Sequence, residues 1–384
     1  MTLTAERQLL EFQGVADAPP RPSRVLTRYP ILDALRFVLA FWVVMSHFGT
    51  FPLFAGVDMK TRLGRVLAHG WSTTTFGTAA VIGFFIISGF CIHLPFRNEE
   101  TLVLSRYYVR RYLRILVPLA CGVSVFYLVG IPVKLLGNDS VLWRTVLWSL
   151  LCEEIYYALY PLLRLFRSHF GWIALLSGSF GLAITSLATH SYADDWQRYG
   201  PIRTAFILLP IRLLGCLLAE RVMQIRPHNS ASTIWAWRIG IWSASWVCEL
   251  LHFKLHVYYT FTMLPFGVLA FFWILQEIRY GMTGAEPWKP LISFGAWSYS
   301  LYLIHGPAMF FFAEKLHLPN LGYFVNWFFT YAFILGASFI FYVLIERPSH
   351  RQARKIAFQG PPLHRMLLPK QELSARVPSN ARVQ

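Results

Sequence analysis

Four groups of ionisable and hydroxyl side chains sit in or at the edges of apolar stretches of this 384-residue chain. In the first stretch, Ile31–Phe48, Asp33 and Arg36 are three residues apart and therefore neighbours on a helix. His47 follows Arg36 by eleven residues. At about 100° per residue the two return to one helix face, roughly 16 Å apart along the axis. An imidazole there can take a proton from a hydroxyl, and the guanidinium can hold an anion. The second group is Arg106, Arg110, Arg111 and Arg114. Arg111 and Arg114 share a face, and guanidiniums at this density suit a polyanion. The third is Glu153–Glu154, adjacent carboxylates that diverge by about 100°, so only one faces a given partner. A buried carboxylate needs a cationic or hydrogen-bonding mate, and Arg114 and Arg212 are candidates. The fourth is Ser298, Tyr302 and His305, whose four-and-three spacing makes one polar stripe able to line a cavity. Arg144, Arg238 and Glu249 stand alone in other apolar stretches and receive no role.

The elements that must position these groups are membrane spans. Hydrophobic residues make up 55% of the chain and charged residues 14%, against roughly 25% charge in soluble proteins. That excludes an ordinary soluble enzyme, a disordered chain and a fibre. A helix needs about 20 residues to cross the hydrocarbon core. Ten stretches qualify: Ile31–Phe48, Phe76–Leu94, Leu113–Ile131, Val141–Leu165, Trp172–Leu187, Ile202–Val222, Ile234–Leu251, Tyr258–Leu275, Leu291–Phe312 and Tyr323–Ile345. The expected fold is all-α and polytopic. Charge inside a span costs about 2.5–3.5 kcal/mol on insertion scales, so the few charged residues there are functional candidates.

The net charge of +16 does not point to nucleic acid, because the basic residues lie between apolar runs and at the chain ends. With the N-terminus in the cytoplasm, 22 Lys and Arg fall in inside segments and 8 in outside ones. The positive-inside rule then places both termini in the cytoplasm. Residues 1–28 read as a cytoplasmic segment without the apolar core of a signal peptide. Residues 29–348 read as the transmembrane domain, and 349–384 as a basic, partly disordered cytoplasmic tail. Cys91, Cys121, Cys152, Cys216 and Cys248 have neither zinc spacing nor disulfide spacing, and no metal is expected.

The order of motifs resembles the acyltransferase-3 family of integral membrane acyltransferases. Asp33-Ala-Leu-Arg36 with His47 is similar to the first-span signature of that family. Phe84-Phe85 with Ser88-Gly89-Phe90 is similar to its second-span motif, and Arg111-x-x-Arg114 to its RxxR motif. Trp148-Ser149-Leu150 with Glu153 resembles WSLxxE. Ser298 to Leu303 with His305 resembles the ninth-span motif, and Glu346-Arg347-Pro348 the closing one. The likeness runs from about Tyr29 to Pro348. Ile82 stands where the second-span motif often has an acid, so no role for that carboxylate carries over. The SGNH-type domain that follows in some members is also absent from the expectation.

The resemblance implies transfer of an acyl group, often acetyl, from acyl-CoA, to acceptors that in the family are carbohydrates, glycolipids or hydroxylated natural products. A bacterial inner membrane is implied too. Expected partners are acyl-CoA, the acceptor and the bilayer, with a homo-oligomer left open. On the combined reading, Arg36, Arg111 and Arg114 hold the phosphates of CoA. His47 takes the acceptor's proton or carries the acyl group itself. Glu153 orients His47 or holds the sugar, Ser298, Tyr302 and His305 contact the acceptor, and Asp33 pairs with Arg36. The rival class is a secondary transporter or flippase for an acylated or anionic substrate. No internal repeat is visible to support it.

Overall fold

In the computed structural model the described residues are 29–97, 102–131, 145, 147–189, 196–228, 230–316 and 321–358, and their regular elements are all helical. They are α1 Pro30–Phe48, α2 Arg62–Ser72, α3 Gly77–His93, α4 Leu104–Leu128, α5 Trp148–Ala188, α6 Trp196–Tyr199, α7 Pro201–Arg221, α8 Ala231–Leu255, α9 Tyr259–Gly281, α10 Lys289–Gly295, α11 Ser298–Lys315, α12 Tyr323–Phe341 and α13 Arg347–Phe358. α1 begins on Pro30, whose fixed φ suits a first helical position, and stops at Gly49 (φ 92°), whose N–H reaches back to the Met45 carbonyl. α7 likewise begins on a proline, Pro201, just after Gly200 (φ 79°).

Among the described residues, seven segments are long and apolar enough to cross a membrane, fewer than the ten expected. The expected fourth and fifth spans correspond to the two helical parts of α5 on either side of Gly171 (φ 79°, ψ 178°), where the backbone leaves helical geometry, so this one segment holds two of the ten. The expected seventh and ninth are helical, as α8 and α11, but polar side chains lower their hydropathy: Arg238 and Glu249 in α8, the Ser298–His305 stripe in α11. Residues 141–144 of the expected fourth span, with Arg144, lie outside the described residues, as do segment 1–28 and the tail beyond 358. Residues 349–358, read from sequence as part of the tail, continue α13.

The bundle has an inner and an outer ring. The most apolar windows of the α3 and α7 segments are 67% and 72% buried, against 22% for α4, α5 and the α12 segment, whose apolar faces are left for lipid. α3 and α7 cross in direct backbone contact because two glycines permit it. A methyl at Gly89 would overlap the carbonyl oxygen of Arg212, and one at Gly215 would overlap that of Ile86. Gly89→Ala is therefore expected to push the helices apart and cost about 1–3 kcal/mol. Thermal unfolding in detergent measures this, and an unchanged melting temperature would contradict the close crossing.

Arg238 does not stand alone. Its Nε and Nη2 donate to the two oxygens of Glu277 on α9 at 2.8 and 2.9 Å, and Trp273 Nε1 adds a third bond at 3.0 Å. Glu277 is completely buried, so the pair ties α8 to the core. Glu249 is half-buried, and its Oε2 has no hydrogen-bond partner among the described residues.

α11 runs beside α1 in the same direction. At one end Gly295, just before α11, packs on the Asp33 backbone; at the other the His305 ring lies on His47. The chain breaks between α10 and α11 at Ala296–Trp297. The buried start of α11 is held by a carboxylate from the far end of the sequence. Glu346 accepts the Ser300 N–H at 3.1 Å and also the Ser300 hydroxyl. A negative charge at a helix start meets unpaired N–H groups and the positive end of the helix dipole.

Candidate active site

A cavity of about 470 Å³ opens at the end of the bundle where α1 and α4 begin. α1 contributes Asp33 and Arg36, the first turns of α4 contribute Arg106, Arg110, Arg111 and Arg114, and the α12–α13 junction contributes Glu346 and His350. The close i,i+3 and i,i+4 spacings turn the α4 arginines to one side of the helix. Two are steadied. The Arg111 guanidinium lies 5.0 Å from the centre of the Tyr157 ring, and Arg114 Nε meets His350 Nε2 at 3.3 Å. Five guanidiniums around one hollow make a strongly anion-attracting site.

Glu153 forms part of this cavity's wall and also of a narrower void of about 60 Å³ beyond it. The shared wall includes Arg36, Ser88 and Tyr299, and the deeper part adds Ser149, Ser298 and Tyr302. The Glu153 carboxylate accepts bonds from the Ser88 and Tyr157 hydroxyls. Behind Ser88 lies Arg212, 2% exposed, whose Nη1 is 2.8 Å from Ser88 Oγ and 3.7 Å from Glu153 Oε1. Its guanidinium sits over the rings of Tyr156 and Tyr157. Thus Ser88-Gly89 does two jobs. The glycine lets α7 approach, and the serine bridges the arginine it brings to the acid on α5.

The polar stripe of α11 climbs from this point. Ser298 donates to the Gly295 carbonyl at 3.0 Å, and the Tyr302 and Ser149 hydroxyls bond at 2.7 Å. One turn on, the His305 ring is 5.9 Å from Tyr302 and 5.5 Å from His47, stacked on the latter at 26°. His305 is completely buried. Its Nδ1 lies 3.2 Å from the Leu301 carbonyl, which makes Nδ1 a donor; when the ring is neutral, Nε2 then carries the free lone pair. Nε2 has no partner among the described residues. His47, in the last turn of α1, is exposed.

Arg36, Arg111, Arg114 and Asp33 thus share one cavity, Glu153 stands at its inner end, and Ser298 and Tyr302 continue inward. His47 and His305 form a separate pair further along α1 and α11. Of the two roles expected for Glu153, orienting His47 falls away, because its carboxylate is engaged by Ser88, Tyr157 and Arg212 and the ring beside His47 is His305. Of the two candidate mates for Glu153, the structure places Arg212 there rather than Arg114, and sequence reasoning assigned no role to Tyr157 or His350 and none beyond its motif to Ser149. For Arg212 the signal was its place in the middle of the apolar run Ile202–Val222, whose other charged residues sit near its ends.

A helical membrane bundle with an arginine-lined hollow, an inward polar stripe and a histidine pair has the parts of a membrane-embedded transferase. Residues 29–346 match the acyltransferase domain of the acyltransferase-3 family, and the chain belongs to that family. It is similar to the acyltransferase MdmB of Streptomyces mycarofaciens, with 24% identity in a match covering 80% of this chain and 85% of that protein. No solved structure matches the chain.

Proposed function

We propose that the protein moves an acyl group, acetyl in the simplest case, from acyl-CoA to a hydroxyl of a carbohydrate or glycoconjugate. The observation that carries this is the arginine-lined cavity narrowing to Glu153 and Tyr302. It suits a donor with a phosphate-bearing head and a long, thin arm ending in a thioester. Arg36, Arg111 and Arg114 hold the phosphates, with Asp33 balancing Arg36. The arm lies along Ser88 and Glu153. Ser298, Tyr302 and His305 receive the acceptor. The free lone pair at His305 Nε2 supports that assignment, since a hydroxyl proton satisfies it.

His47 takes the proton as the hydroxyl oxygen attacks the thioester carbon. The C–O bond forms, the C–S bond breaks, and the proton passes to the departing CoA thiolate. The excess of basic residues on alternate loops supports an orientation with both termini and the donor cavity facing the cytoplasm of a bacterial inner membrane.

The test is purified protein with acetyl-CoA and hydroxylated acceptors, read by thiol release and by the mass of the product. Thiol release matched to acceptor acetylation is expected. Movement of an acceptor across the membrane with no CoA freed would favour a transporter or flippase. Arg114→Ala is expected to weaken CoA binding about 10–100-fold, the loss of a hydrogen bond to a charged group. Calorimetry measures it, and unchanged affinity would remove Arg114 from the donor site.

A further inference from the structure

Beside the donor cavity lies a second basic surface to which no role has been given. α13 carries Arg347, Arg351, Arg354 and Lys355, all exposed, at spacings that put them on one side of the helix. α13 packs along the first turns of α4, where the Ser349 hydroxyl donates to the Leu113 carbonyl and His350 meets Arg114. The clamp sets two arginine-rich helices side by side, close enough for the charges of Arg110 and Arg354 to oppose each other. An open groove of about 520 Å³ runs over α13, lined by Pro348, Arg351, Gln352, Arg354 and Lys355.

Among the described residues no carboxylate pairs with Arg351, Arg354 or Lys355. Glu346, the nearest acid in sequence, is turned inward to Ser300. Like charges held together without a counter-charge oppose folding, and an anion in the groove would offset that. The inner cavity has five arginines of its own and shares no lining residue with this surface, so the two are distinct basic surfaces set side by side.

Acyl-CoA presents two phosphate groups at different points, the diphosphate of its linker and a phosphomonoester on the ribose 3′ oxygen. We propose that the α13 groove binds the 3′-phosphomonoester while the α4 arginines hold the diphosphate, so that α13 selects CoA over its 3′-dephospho form. Arginine suits this work because its planar fork matches phosphate oxygens in pairs. The proposal rests on acyl-CoA being the donor. Anionic phospholipid headgroups share the same chemistry at the same surface, and the experiment separates the two.

The full chain is placed in nanodiscs of phosphatidylcholine alone, and binding of CoA and of 3′-dephospho-CoA is measured for the wild type and for Arg351→Gln/Arg354→Gln/Lys355→Gln. The replaced side chains are exposed, and a matching melting temperature verifies the fold of the variant. Arg354→Gln alone serves if the triple variant is unstable. The wild type is expected to prefer CoA by about tenfold or more, the worth of one charge-assisted contact. The triple variant is expected to bind both nucleotides alike, at the wild type's affinity for the dephospho form. A variant that keeps the preference, or loses affinity for both nucleotides equally, overturns the proposal. So does a variant effect that appears only when phosphatidylglycerol is added, which would make the groove a lipid site. If neither nucleotide binds the wild type, acyl-CoA is not the donor, and the wider reading fails before α13 is at issue.

Discussion

His47→Ala is expected to lower turnover by about 10²–10⁴-fold, the usual contribution of a general base. CoA affinity should stay within about twofold, because a group used only in the chemical step leaves ground-state binding alone. The geometry makes this split sharp. His47 lies in the last turn of α1, whereas Arg36 and the α4 arginines line the cavity at the other end of the helix. Its ring packs on His305 and Phe48 and touches none of the cavity's guanidiniums. Steady-state thiol release and calorimetric CoA binding on the same preparation read the two quantities separately. Turnover near the wild-type rate would end the case for His47 as proton acceptor. Loss of CoA binding in step with turnover would move it into the donor site.

The second large effect is on stability. Arg212→Met keeps a long apolar side chain but removes the only cation within salt-bridge distance of Glu153 among the described residues. Ser88 and Tyr157 remain as hydrogen-bond donors to a carboxylate that has lost its counter-charge. Breaking a fully buried pair from one side costs about 3–5 kcal/mol because the remaining charge is stranded, and with Glu153 22% exposed at the cavity wall the lower end of that range is expected. A clear fall in melting temperature is expected, together with loss of activity. Adding Glu153→Gln removes the stranded charge, so the double variant should regain much of the stability without regaining turnover. If Arg212→Met melts with the wild type, the Arg212–Ser88–Glu153 link does not hold α3, α5 and α7 together.

The arginine-lined cavity was readable in the sequence because its residues are local. Arg111 and Arg114 are i,i+3 on one helix, and Arg36 and His47 lie on one uninterrupted helix. Regular helical spacing turns such positions into faces without knowledge of the rest of the bundle. What the sequence hid depends on pairing between distant segments. Arg238 reads as isolated until α8 and α9 pack and bring Glu277, 39 residues away, against it. Glu153 reads as a plausible mate for His47 because spacing gives no depth relation between two helices, and only the crossing at Gly89 and Gly215 shows that Arg212 reaches it first.

The grip of Glu346 on Ser300 has a consequence for biosynthesis. The acid belongs to almost the last part of the domain to leave the ribosome, while the wall it steadies was made 46 residues earlier. A nascent polypeptide halted before that point lacks both Glu346 and His350 of the hollow, and with them the carboxylate that caps the start of α11. The start of α11 is therefore fixed only once the last turns of the domain have been made.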